Sequence, residues 1–76
     1  MRAVGGGFAF AKMHAAGNDY VIVDGFDHPR AIEQGGEIAK SVSDRRFGIG
    51  SDGLIALGPS ERADVRMWMW NADGSR

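Results

Sequence analysis

Twelve glycines in 76 residues, with no cysteine among them, cut this chain into short runs and leave it no covalent staple. Each ordered glycine gives up more backbone freedom on folding than any other residue. A domain of this size buries only ~60–65% of the surface that its unfolded chain exposes, so its core is marginal. His14 and His28 have no Cys or His neighbour at metal-ligand spacing, and a structural zinc is not expected to compensate. Such a chain needs very regular packing or further sequence, and further sequence is the reading favoured here.

The net charge of −1 and the scatter of nine basic residues from Arg2 to Arg76 leave no stripe for nucleic acid or an anionic membrane. Residues 8–16 are apolar but interrupted by Lys12 and His14, too short and polar for a signal peptide or a membrane span. A soluble, cytoplasmic protein is the expectation.

Residues 1–7, with three successive glycines, show no periodicity and read as a flexible lead; residues 8–76 read as one partial domain. Phe8, Phe10 and Lys12 alternate with Ala9, Ala11 and Met13, which suits a strand ending near His14. Residues 15–19 read as a turn, and residues 20–23 as a buried strand closed by turn formers up to Pro29. Ile38, Ala39 and Val42 fall on one helical face, predicting a single helix over residues 37–45. Glu37 at its start and Arg45-Arg46 at its end match the helix dipole, while Gly35-Gly36 offer no side-chain cap. Residues 54–57 and 65–70 read as strands separated by Gly58-Pro59-Ser60. In the second, Val65, Met67 and Met69 share one face and Arg66, Trp68 and Trp70 the other. The tryptophan face needs a partner layer, which this chain has little left to supply. The class is α+β.

Three motifs have both structural and chemical readings. In Ala16-Gly17-Asn18-Asp19 the glycine permits positive φ and the polar residues close a turn. Chemically, the Asn18 amide carries donor and acceptor, enough to meet both the carboxylate and the ammonium of an amino acid. Residues 47–53, Phe-Gly-Ile-Gly-Ser-Asp-Gly, can cup an anion with backbone N–H groups or simply join helix to strand. They are neither a phosphate loop nor a dinucleotide fingerprint, because no Gly-Lys-Ser/Thr follows and the next element is a strand. Asn-Ala-Asp-Gly-Ser at residues 71–75 is a strand-ending turn, and Asn71 joins Asn18 at one ligand only if strand pairing brings the two together. Asp24, Asp27, Glu37 and Asp52 form no acid/base pair and read as surface or turn charges; His14 and His28 read as structural.

Lys12-Met13-His14, the Gly17-Asn18-Asp19-Tyr20 turn with its valine-rich strand, Gly48-Ile49-Gly50-Ser51-Asp52 and Asn71-Ala72-Asp73-Gly74-Ser75 together resemble the start of diaminopimelate epimerases, in order and at about their spacing. Asp19, where the related phenazine-pathway isomerases usually have proline, is similar to the epimerase branch. The resemblance implies the N-terminal part of one of two α/β halves, each wrapping strands around a central helix. It also implies an enzyme without cofactor or metal, in lysine and peptidoglycan-precursor synthesis, that interconverts LL- and meso-diaminopimelate. Two cysteines do the chemistry there, one as thiolate removing the α-proton and one as thiol returning a proton to the opposite face. The first of them follows a few residues after the last motif, so these 76 residues are expected to hold no catalytic residue. Asn18 and Asn71 match substrate-contacting positions. A third such position, often glutamine in the family, matches Gly53, and the family's glycine after the histidine is Ala15, which resists any positive φ there. The implied partners are diaminopimelate, the C-terminal remainder of the chain and, for the full-length protein, a second copy in a homodimer. A short zwitterion-binding module, an isomerase of another small acid and an inactive truncated relic are the competing readings.

Overall fold

A computed structural model describes residues 2–4, 8–46 and 48–76 of the chain. Among the described residues, glycines and turn formers delimit seven elements: β1 (Arg2–Val4), β2 (Phe8–Ala15), β3 (Asn18–Asp24), α1 (Arg30–Glu33), α2 (Gly35–Ser43), β4 (Gly53–Gly58) and β5 (Arg66–Asn71). The strands form one mixed sheet in the order β1-β2-β3-β4-β5. Only the β3–β4 pairing is parallel; the other three are antiparallel. Arg2–Val4 pairs with residues 8–10 at the sheet edge, inside the stretch expected to be a flexible lead. The rest of that stretch, Met1 and residues 5–7, lies outside the described residues, as does Phe47.

The register sorts the side chains into two faces, because paired residues on neighbouring strands point the same way and successive residues alternate. Val21, Leu54 and Trp70 form one row across β3, β4 and β5, and Phe10, Val23, Ala56 and Trp68 form another across β2 to β5. These rows face the helices. Phe10, Val21, Val23, Leu54, Ala56 and Trp70 are buried together with Ala31, Ile38, Ala39 and Val42 in one cluster, with Ile32, Ile49 and Trp68 partly buried against it. Arg66 also stacks on Trp68, its guanidinium carbon 4.7 Å from the ring centre. The partner layer for the tryptophans is therefore within the chain. The face left open is the methionine face, where Met13 is 37%, Leu57 36%, Met67 56% and Met69 39% exposed.

Ile38, Ala39 and Val42 are buried on α2 as their spacing predicts. The helix begins two residues earlier than expected, at Gly35, and ends at Ser43, so Arg45 and Arg46 lie beyond Asp44, its C-cap. The single turn α1, which follows Pro29, has no counterpart in the sequence reading; four residues are too few to establish a 3.6-residue period. Its Ala31 is fully buried.

Glycine is required at the start of α2 by close approach. A Cβ on Gly35 would lie 2.1 to 2.4 Å from three atoms of the Trp70 ring, which is itself buried. Two effects oppose each other in Gly35→Ala. Helix propensity favours alanine by up to ~1 kcal/mol, whereas overpacking a filled core costs about 1–3 kcal/mol. The clash is with the body of a rigid ring, so overpacking wins. Gly35→Ala is expected to lower unfolding stability by ~1–2 kcal/mol in denaturant titrations; a more stable variant would show that the ring moves freely.

Candidate functional site

The β2–β3 hairpin closes in two residues. Ala15 pairs with Asn18, and Ala16 (φ 52°) and Gly17 (φ 82°) between them both adopt left-handed backbone. Two positive φ values match the right-handed twist of the flanking strands. The conformational strain falls on Ala16, costing ~1–2 kcal/mol, and not on Ala15, which is the last residue of β2. Asn18 is the first residue of β3, at the tip of this turn, and is exposed.

Beside Asn18 lies a network of charge. The Asp19 carboxylate pairs with Nδ1 of His14, its cross-strand partner, and lies 4.0 Å from Lys12 Nζ. The backbone of Asp19 is bound to Asp52 in both directions: its N–H donates to Asp52 Oδ2 at 2.8 Å, and its carbonyl accepts the Asp52 N–H at 2.8 Å. Asp52 Oδ1 accepts from Arg45 Nη2 at 3.1 Å. Arg45 is thus the partner of Asp52 rather than a terminal charge of α2, and Asp52, an exposed surface charge as its sequence context suggests, is also a structural acceptor. Neither role shows in sequence, since a separation of 33 positions between Asp19 and Asp52 hides their proximity.

The loop that carries Asp52 uses its N–H groups on the protein itself. Gly48 donates to the Asp44 carbonyl, Ile49 and Gly50 both donate to that of Val42, and Ser51 donates to that of Ser43. These bonds satisfy carbonyls that the end of a helix leaves without intrahelical partners. The buried hydroxyls of Ser43 and Ser51 lie 3.1 Å apart, and Ser51 Oγ donates to the Gly53 carbonyl at 3.2 Å. Residues 48–52 therefore act as a helix-to-strand connection, and the anion-nest reading falls because those five N–H groups are engaged internally.

Asn71 ends β5 and opens the second turn. Its N–H donates to the Ser75 carbonyl at 2.7 Å, its side-chain amide donates to Ser75 Oγ at 3.0 Å, and Gly74 N–H returns to its carbonyl at 2.9 Å. An asparagine amide has two donor hydrogens and an acceptor oxygen, so one bond to Ser75 leaves capacity for a ligand. Asn71 lies in the row Met13–Tyr20–Gly53–Asn71 across four strands. Asn18 is two residues from Tyr20 along β3, hence on the same face. The two asparagines thus share one end and one face of the sheet, the face without helices, with Cα atoms on the order of 12 Å apart. Gly53 lies between them. A Cβ there would sit 2.5 Å from the Trp70 carbonyl oxygen and 3.4 Å from two carbons of the Tyr20 ring. The Tyr20 ring therefore borders the space where a longer side chain would have started.

Comparison with known proteins bears on this arrangement. Residues 10–76 match the family model described as diaminopimelate epimerase. The chain belongs to the diaminopimelate epimerase family. It is 58% identical over 66 residues to a diaminopimelate epimerase from Acetivibrio thermocellus and 58% over 66 residues to one from Desulfovibrio desulfuricans. It is also 56% identical over 66 residues to one from Methanococcus maripaludis. Each match takes in 87% of this chain but only 22–23% of the relative, so the chain spans less than a quarter of those proteins. Its α+β sheet and helix layer are accordingly the N-terminal part of a diaminopimelate epimerase fold.

The turn after Asn71 has a measurable electrostatic signature. Asp73 Oδ1 accepts from the Ser75 hydroxyl at 2.7 Å and the Ser75 N–H at 2.9 Å, and these bonds to the charged form hold its pKa below the ordinary 3.8. A depressed carboxylate pKa contributes stability above its unfolded value and loses it as pH falls through the folded value, so the turn loosens only below about pH 4. NMR titration of the Asp73 carboxyl is expected to give a midpoint below 3.8 that moves up toward it in Ser75→Ala. A midpoint at or above the ordinary value in the unmodified protein would count against the Asp73–Ser75 bonds.

Proposed function

We propose that the complete protein, of which this chain forms about a quarter, is a cofactor-independent diaminopimelate epimerase acting in lysine and peptidoglycan-precursor synthesis. The observation that carries this reading is the match of residues 10–76 to the family, with 58% identity to relatives named for that activity. The α-carbon of an amino acid is a very weak acid, so inversion needs a base on one face, an acid on the other and fixed dipoles around the carbanion. A thiolate takes the α-proton, the C–H electron pair stays on carbon, and a thiol opposite returns a proton. None of the 76 residues is a cysteine, so both groups belong to the remainder of the protein and residues 1–76 by themselves turn over no substrate.

Asn18 and Asn71 are this segment's contribution to substrate binding. Their placement on one face and at one end of the sheet supports that role: each amide can donate to a carboxylate and accept from an ammonium of the same zwitterion. The open methionine face extends from this end across the sheet, and an apolar patch rimmed by polar residues suits an internal packing surface. The remainder of the chain is its proposed occupant.

Incubating the complete protein with LL-diaminopimelate in deuterated water is expected to yield the meso form with deuterium at the α-carbon. Recovery of unlabelled, uninverted substrate would overturn the proposal. Within an active enzyme, Asn18→Ala and Asn71→Ala should each lower kcat/KM at least tenfold, equivalent to ~1.4 kcal/mol of transition-state stabilisation. Unchanged kinetics in both would remove these residues from the site.

A further inference from the structure

We infer that Asp52 is a positioning residue for Asn18, an inference that rests on the substrate-binding role proposed for Asn18. Asn18 stands at the free end of a two-residue turn in which Ala16 is conformationally strained, so cross-strand pairing with β2 gives it support from one side only. The support on the other side comes from Asp52. Its carboxylate accepts the N–H of the very next residue, Asp19, and its own N–H donates to the Asp19 carbonyl, both at 2.8 Å. Asp52 is held in turn by Arg45, and its loop is bonded to the last carbonyls of α2 through Ile49, Gly50 and Ser51. A continuous run of hydrogen bonds thus connects the core helix to the backbone beside Asn18.

Magnitudes separate positioning from stability. The Arg45–Asp52 pair is exposed on both sides, and such pairs add little to stability. A functional amide, by contrast, must be held within about 0.5 Å and 10–20° of its working geometry. Loss of the carboxylate therefore leaves the fold formed and the tip of the hairpin loose.

The test is steady-state kinetics and thermal melting of the complete protein with Asp52→Ala and Asp52→Asn. The expected result for Asp52→Ala is a KM for diaminopimelate raised about tenfold, kcat within about threefold of the parent, and a cooperative melt within a few degrees of it. Asp52→Asn, whose amide oxygen can still accept the Asp19 N–H, should recover most of the lost KM. An unchanged KM in Asp52→Ala, or equal impairment in the Ala and Asn variants, overturns the inference while leaving the epimerase reading intact. So does an Asp52→Ala protein without a cooperative melt, since Asp52 would then be a folding residue. A parent protein without α-proton exchange overturns the epimerase reading, and the inference with it.

Discussion

Two parallel strands cannot be joined by a tight turn. Because β3 and β4 pair in parallel, the chain leaving Asp24 must return to the opposite end of the sheet before it can start β4 at Gly53. Residues 25–52 make that return, and α1 and α2 are its contents. The crossover lays Ile38, Ala39 and Val42 against Val21, Val23, Leu54 and Ala56, so one topological constraint builds the core and decides which face of the sheet is dry. It also brings residues 48–52 back beside the start of β3, where Asp52 meets Asp19.

Trp70 ties the far end of this arrangement together. Its strand is the last to join the sheet, yet its ring lies against Gly35 at the start of α2, so the first turn of the helix and the final strand share a contact that admits no β-carbon. A glycine-rich helix start that reads as weak by capping rules is thereby explained by packing. The same assignment of faces leaves the methionines of β2 and β5 uncovered. Flexible, polarizable side chains suit the irregular packing surface proposed for the remainder of the protein, the matched relatives being nearly four times as long as this chain.

Much of the candidate site was legible before the fold was known, but not its support. The turn at Gly17 and Asn18 and the turn opened by Asn71 announce themselves through residue types that favour such conformations. That both asparagines lie at one end and on one face follows only from the register Tyr20–Gly53–Asn71, which joins three strands distant in sequence. Asp52 read only as a surface charge, which it is, and Arg45 as a helix terminus, because local reading assigns each residue to its own element. Their contact, and the two hydrogen bonds between Asp52 and Asp19, need the crossover to be in place.

The amino-acid sequence by itself determined the four longer strands, the buried face of α2 and the alternation that separates tryptophans from methionines on β5. These are local properties of period two and period 3.6, and they survive a change of tertiary context. Membership of the diaminopimelate epimerase family was likewise readable from motif order and spacing. Tertiary structure decided which side of the sheet the helices cover, since alternation divides two apolar faces without ranking them. It decided too that the glycine-rich loop spends its N–H groups on the end of α2, and that an aspartate 33 residues away holds the turn presenting Asn18. Those outcomes depend on hydrogen bonds between segments remote in sequence, formed only once parallel pairing has folded the chain back on itself.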